Sequence, residues 1–129
     1  MVQVPSTEAE VLRSITDYLT LNNIYHLRLN SGKVLITQGL TRRMINLCPE
    51  GTPDIFALKD GKAVFLEVKR DAKVKETWLK KIRNFKKTAV VAHSARREIE
   101  QYKAMKTIEA AGGDTYLVAS LGEVMEIFK

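Results

Sequence analysis

Residues 54–69 read Asp54-Ile55-Phe56-Ala57-Leu58-Lys59-Asp60-Gly61-Lys62-Ala63-Val64-Phe65-Leu66-Glu67-Val68-Lys69. Two apolar runs flank Asp60-Gly61, a dipeptide that signals a tight β-hairpin because both turn positions need positive φ. With that pair as the loop, Lys59 faces Lys62, Phe56 faces Phe65, Ile55 faces Leu66 and Asp54 faces Glu67. Side chains alternate along a strand, so Lys69 shares the face of Glu67, one step along. The register therefore brings two acids and a lysine together where both strands are otherwise apolar.

Like charges directly opposite each other destabilise a sheet. Two carboxylates beside an apolar core need a proton, a base or a divalent cation. Two readings follow: Lys69 partly neutralises the pair, or the pair holds a metal ion. Oxygen-only ligands suit Mg²⁺ or Mn²⁺, which keep several waters and accept a substrate phosphate. Such an ion lowers the pKa of a water and screens phosphate charge, and a neighbouring lysine orients or deprotonates the nucleophile.

Working outward, Ser6-Thr7 with Glu10 opens a first helix through a capping box. Val11, Leu12, Ile15, Tyr18 and Leu19 give its buried stripe, and Asn22-Asn23 ends it. Glu8 lies on that same stripe, so it either snorkels to solvent or is aimed at a site. Extended segments are expected at 24–29, 34–37 and 42–47, with turns at Asn30-Ser31-Gly32-Lys33 and Gln38-Gly39-Leu40. No Gly or Pro occurs from Asp71 to Ala111, and Trp78, Ile82, Phe85, Ile99, Tyr102 and Ile108 keep helical spacing. The β-branched stretch 88–93 predicts a break or a short strand. Trp78 and Phe85 read as packing or interface rather than base stacking. Gly112-Gly113 closes the helical region, 115–120 reads as a strand, and Ser120 with Glu123 forms a second capping box before a last short helix.

The 129 residues carry a formal net charge of +6, 45% hydrophobic residues and one cysteine. This fits a single globular domain over 1–129 that needs no disulfide framework. Cys48 without a partner points to a reducing compartment, and no segment reads as a membrane span or a secretory signal, so a cytoplasmic location is expected. His26 and His93 lack metal-ligand spacing to each other or to Cys48, which argues against a zinc site. No phosphate-binding glycine loop supports an ATP-driven enzyme. The charge is concentrated. Residues 69–87 hold nine bases against two acids, a net of +7, which leaves −1 for the rest. A basic stripe of this kind is the footprint expected for a polyanion, or else a solvated helix face.

Asp54 followed by Glu67-Val68-Lys69 on the next strand resembles the PD-(D/E)xK nuclease signature. Gly51-Thr52-Pro53-Asp54 ahead of it is more narrowly similar to the VRR-NUC (virus-type replication–repair nuclease) family. Glu8 in the first helix, Arg28-Leu29-Asn30-Ser31-Gly32, Gln101 and Gly112-Gly113 occur in the matching order, so the resemblance spans residues 8–128. It implies an α/β, restriction-endonuclease-like αβββαβ core with a central mixed sheet flanked by helices. Asp54 and Glu67 would hold Mg²⁺ or Mn²⁺, with the Val68 carbonyl as a further ligand and Glu8 reaching the ion through water. Lys69 would act on the attacking water, with Gln101 near the metal or Lys69. The segment from 71 to 100 is longer than the family's and reads as a basic helical insertion for DNA contact or self-association. Arg28, Asn30, Ser31, Lys33, Arg70, Lys73, Lys75, Lys80 and Lys81 are the candidate nucleic-acid contacts. The activity implied is a metal-dependent DNA endonuclease, a homodimer cutting branched or four-way-junction DNA in a bacterial cell or a phage-infected host. A less selective nickase or repair nuclease, or a catalytically silent DNA-binding subunit, is the alternative.

Overall fold

The structure is a computed structural model that describes residues 7–29 and 33–129. Asn30 and Ser31, two of the expected nucleic-acid contacts, lie outside the described residues. Helix α1 (Glu8–Leu21) leads to β1 (His26–Arg28), and β2 (Lys33–Gln38) and β3 (Thr41–Asn46) follow. Then come β4 (Ile55–Lys59), β5 (Lys62–Val68), α2 (Ala72–Thr88), a 3₁₀ turn (His93–Ala95), α3 (Arg96–Ala110), β6 (Asp114–Val118) and α4 (Leu121–Phe128).

Among the described residues, the main sheet has the strand order β1-β4-β5-β6. β1 and β5 each run antiparallel to β4, whereas β6 runs parallel to β5. The sheet is therefore mixed. The register of β4 and β5 is the one expected from the Asp60-Gly61 loop, with Ile55 facing Leu66 and Lys59 facing Lys62. Both loop residues have positive φ, 50° and 79°, as the turn requires. The ladder ends at Ile55–Leu66, and Asp54 and Glu67 stand one step beyond it.

Alternation along β5 sorts its side chains between two helical layers. Val64, Leu66 and Val68 face one side with Ile55, where the α1 stripe of Val11, Leu12, Ile15 and Leu19 closes over them with Val124 of α4. Asp54, Phe56, Phe65, Glu67 and Lys69 take the opposite face. On that side a second core forms between α2 and α3 from Trp78, Ile82, Ala95, Ile99 and Met105, with Leu117 of β6 against it. The chain is thus a mixed α/β fold in which helices flank a mixed sheet.

Several local expectations need correction. β1 spans three residues rather than 24–29, because only His26–Arg28 pair with β4. Of the break or short strand expected at 88–93, the structure has the break: Ala89 takes a left-handed φ of 56° as it ends α2, and the 3₁₀ turn follows. Thr7 and Glu10 make their capping box in full. At the last helix, the Ser120 hydroxyl accepts from the Glu123 amide, but the Glu123 carboxylate bonds the Ala119 amide and pairs with Lys75 instead of closing the box. Among the described residues, β2 and β3 pair only with each other, as a hairpin separate from the main sheet. No helix of the described residues is long and apolar enough to cross a membrane.

The approach to Asp54 depends on one glycine. Thr52 donates backbone and hydroxyl bonds to the Pro49 carbonyl, turning the chain at Gly51, whose φ is +84°. A Cβ at Gly51 would lie 2.5 Å from the Glu100 carbonyl oxygen and 3.0 Å from the Gln101 nitrogen. The loop therefore rests directly on the backbone of α3. Gly51→Ala combines a left-handed φ with a backbone clash and is expected to destabilise the fold by about 3 kcal/mol, read by urea unfolding.

Candidate functional site

Asp54 sits where β4 leaves the ladder, and its side chain continues the pairing. Its Oδ2 accepts from the Val68 amide at 2.7 Å, while its backbone carbonyl accepts from the Leu29 amide at 2.8 Å. One carboxylate oxygen is thereby pinned to β5 while the backbone holds the end of β1, and Oδ1 makes no hydrogen bond among the described residues. Arg28, exposed at the end of β1, is close enough for its charge to lower the Asp54 pKa.

Glu67 and Lys69 are both buried, 3% and 7% exposed. The Lys69 amide donates to the Val118 carbonyl at 2.8 Å, which carries the parallel pairing one residue past β5. Its Nζ lies 3.4 Å from Glu67 Oε1 and 3.1 Å from Gln101 Oε1. Gln101 Oε1 also accepts from Trp78 Nε1 at 2.9 Å. Two donors on one oxygen decide the amide's orientation: the carbonyl end of Gln101 faces Lys69. Glu67 Oε2 is buried and has no hydrogen-bond partner among the described residues.

The electrostatics follow from burial. Glu67 is pushed up to about 8, first by desolvation and then by the Asp54 charge, with Lys69 acting in the opposite sense. Asp54 is also raised, mainly by desolvation, although its bond from the Val68 amide pulls it down. Glu8 raises both acids. Glu8, half-buried at the start of α1, is near enough for its charge to act on both. Lys69 does not fully balance two acids in a desolvated setting, since both remain raised.

The expected cluster of Asp54, Glu67, Lys69 and Gln101 is thus brought together, with Glu8 within electrostatic reach. Among the described residues, no group of three or more His, Cys, Asp or Glu side chains is arranged to hold a metal ion. A cation here could draw on at most the two carboxylates of Asp54 and Glu67, with any further ligand coming from backbone or water. Trp78 reads from the sequence as packing or interface, yet its indole N–H orients Gln101. The available signal was general: a buried indole N–H needs an acceptor.

The basic residues divide. Lys75 pairs with Glu123, and Lys81 bonds Glu98 at 2.8 Å and the Ser94 carbonyl at 3.1 Å. These two tie α2 to α4 and to α3. Arg70 pairs with its neighbour Asp71 at 3.2 Å. Lys73 and Lys80 are exposed one heptad apart on α2. Lys33 opens β2, outside the main sheet.

No protein-family model matches this chain, and no curated protein matches it.

The raised Glu67 pKa has a definite consequence for metal-free protein. The unfolded chain releases this proton near 4.5, whereas the folded chain keeps it until about 8. Between those values the folded state binds more protons, so stability falls as pH rises and levels off above about 8. Asp54 adds in the same direction. In EDTA the wild type is expected to lose on the order of 4 kcal/mol across this window. Glu67→Gln should flatten most of the slope and be the more stable protein at pH 8.5, measured by urea unfolding at a series of pH values.

Proposed function

We propose that the chain is a metal-dependent DNA endonuclease of the PD-(D/E)xK type, VRR-NUC-like, hydrolysing phosphodiester bonds in branched DNA. The observation that carries this reading is Glu67 Oε2, a buried carboxylate oxygen without a partner beside a second acid. A carboxyl in that position is costly to ionise in the absence of a cation. The order Asp54, Glu67, Lys69, Gln101 on two strands and a later helix supports the nuclease assignment, and the sheet with α1 before it and β6 after the helices fits the αβββαβ core.

Asp54 Oδ1 and Glu67 Oε2 are the oxygens free to hold Mg²⁺ or Mn²⁺, with the Val68 carbonyl as a third ligand and Glu8 acting through water. The ion would supply positive charge against the scissile phosphate and acidify a water. Lys69 Nζ, held between Glu67 and Gln101, has three donors, and these acceptors use two. The third is available to orient the attacking water and to offset the negative charge that develops on the phosphate oxygens as one P–O ester bond breaks. Gln101 keeps Lys69 in place, and Trp78 keeps Gln101 in place. A two-fold homodimer would present two such sites to symmetric strands of a four-way junction.

Cleavage of a four-way junction, a flap, matched duplex and supercoiled plasmid with Mg²⁺, Mn²⁺ or EDTA tests the reading. Wild type is expected to cut with either metal and not in EDTA, with Asp54→Ala and Lys69→Ala reduced roughly 10²–10³-fold. Tight junction binding without cutting in any metal would make the chain a DNA-binding subunit instead.

Trp78→Phe keeps the ring and deletes the N–H. It is expected to cost about 1 kcal/mol in unfolding free energy, while the cleavage rate falls roughly tenfold through loss of about 1.4 kcal/mol of transition-state stabilisation. A rate unchanged at that stability loss would confine Trp78 to packing.

A further inference from the structure

The β2–β3 hairpin projects outside the main sheet, and its apolar residues are uncovered. Val34, Leu35, Ile36 and Met44 are 40–61% exposed, and Leu40 at the turn is fully exposed. An isolated two-stranded hairpin with an apolar surface is marginal in water, so this one is built to meet something.

Its composition says what. Residues 18–49 contain no Asp or Glu, whereas Arg28, Lys33, Arg42 and Arg43 all fall within them. Register places Ile36 opposite Arg43 and Thr37 opposite Arg42. Arg42 and Arg43, both exposed, therefore lie on opposite faces of the ribbon. The aliphatic residues are divided in the same way: Val34, Ile36 and Ile45 on one face, Leu35 and Met44 on the other. Two paired six-residue strands span only about 20 by 10 Å on each face, well short of the roughly 800 Å² per partner of a standard protein interface. Stacking two copies ribbon to ribbon would also set arginines against each other with no acid on the ribbon to balance them. A polyanion removes that conflict.

The hairpin's position links it to the site. The chain leaves the main sheet at Leu29, whose amide is bonded to the Asp54 carbonyl, and returns through the Pro49–Thr52 turn to Asp54 itself. Both ends of the excursion are thus at the acid pair. Six residues of strand reach about 20 Å, which corresponds to about six base steps at roughly 3.4 Å each.

We propose that the β2–β3 hairpin is a DNA-binding ribbon lying along a groove beside the scissile phosphate, with Arg42 and Arg43 directed to the two flanking phosphate strands and Leu40 wedged into the base stack at a helical discontinuity. This deepens the nuclease reading and rests on it for the placement of the scissile bond. Apolar tips that enter the stack act most easily where stacking is already interrupted, as it is at a branch point. The ribbon therefore supplies selectivity for branched DNA at up to about six base steps from the cut.

The test uses the whole chain in EDTA, with a four-way junction carrying 2-aminopurine beside the branch. Binding is followed by anisotropy over a salt series and unstacking by 2-aminopurine fluorescence. Arg42→Gln/Arg43→Gln is expected to bind at least tenfold more weakly, with a slope of log affinity against log salt smaller by about 2. Leu40→Ser should bind within about threefold of wild type but lose the fluorescence rise. All three positions are exposed, so unchanged thermal melts confirm folding. Variants that bind and unstack like wild type overturn the ribbon. So does a change in sedimenting mass without a change in affinity per chain, which would give the hairpin to a second copy. Metal-dependent cutting by wild type is scored separately. Cutting with ribbon-independent binding overturns the ribbon alone, whereas ribbon-dependent binding without cutting in any metal overturns the nuclease reading alone.

Discussion

The Glu67 carboxyl is taken out of water beside Asp54, and Lys69 is the buried base that answers it. Removing an ion from water costs several kcal/mol even in a relaxed protein interior. The fold meets that cost in parts. Asp54 is held by the Val68 amide, which favours its ionised form, while Glu67 retains its proton up to about pH 8. The two acids are therefore not equivalent. One is hydrogen-bonded in a way that favours its charged form and the other carries a removable proton, so on the proposed reading an entering divalent cation would displace that proton.

Lys69 ties the sheet to the helices on its second face. Its backbone extends the β5–β6 pairing and its ammonium reaches Gln101 on α3, which is oriented in turn by Trp78 on α2. The α2–α3 core then has a role beyond packing, since Ile82, Ile99 and Met105 hold the two helices that carry Trp78 and Gln101. Gly51 permits the loop before Asp54 to rest on the same stretch of α3, at Glu100 and Gln101. A shift of α3 would thus disturb Asp54 and Lys69 together, through two separate contacts.

What was legible in the sequence was local or periodic. Asp60-Gly61 admits one register, and that register alone placed Asp54 beside Glu67 with Lys69 on the same face. Thr7 and Glu10 announced α1 through their own bonds. The Trp78–Gln101 bond was not legible, because it joins α2 to α3 across a break whose geometry depends on the left-handed Ala89 and the 3₁₀ turn. The separation of β2 and β3 from the main sheet was hidden for a similar reason. Alternation identifies a strand, but partner choice depends on edges and loops elsewhere in the chain. Glu123 illustrates the remaining kind of miss: a correct cap residue whose carboxylate found better partners in Lys75 and the Ala119 amide.

The distribution of charge also changes meaning in three dimensions. In the sequence, 69–87 is the basic segment, yet Lys69 is buried at the acid pair, Lys75 and Lys81 brace α2 against α4 and α3, and Arg83 pairs with Glu76. Such partners cancel part of the field the segment would otherwise project, leaving Lys73, Lys80, Lys86 and Lys87 as its exposed bases without a carboxylate partner among the described residues. By contrast, the sparse bases of residues 18–49 have no acid in the same stretch to answer them. Fewer charges without local counter-ions can attract a polyanion more effectively than many that are already paired, because screening by a bonded carboxylate acts at about 3 Å and that by dissolved salt only over roughly 8 Å. The counting of bases along a chain therefore overstates a helix that braces itself and understates a hairpin that does not.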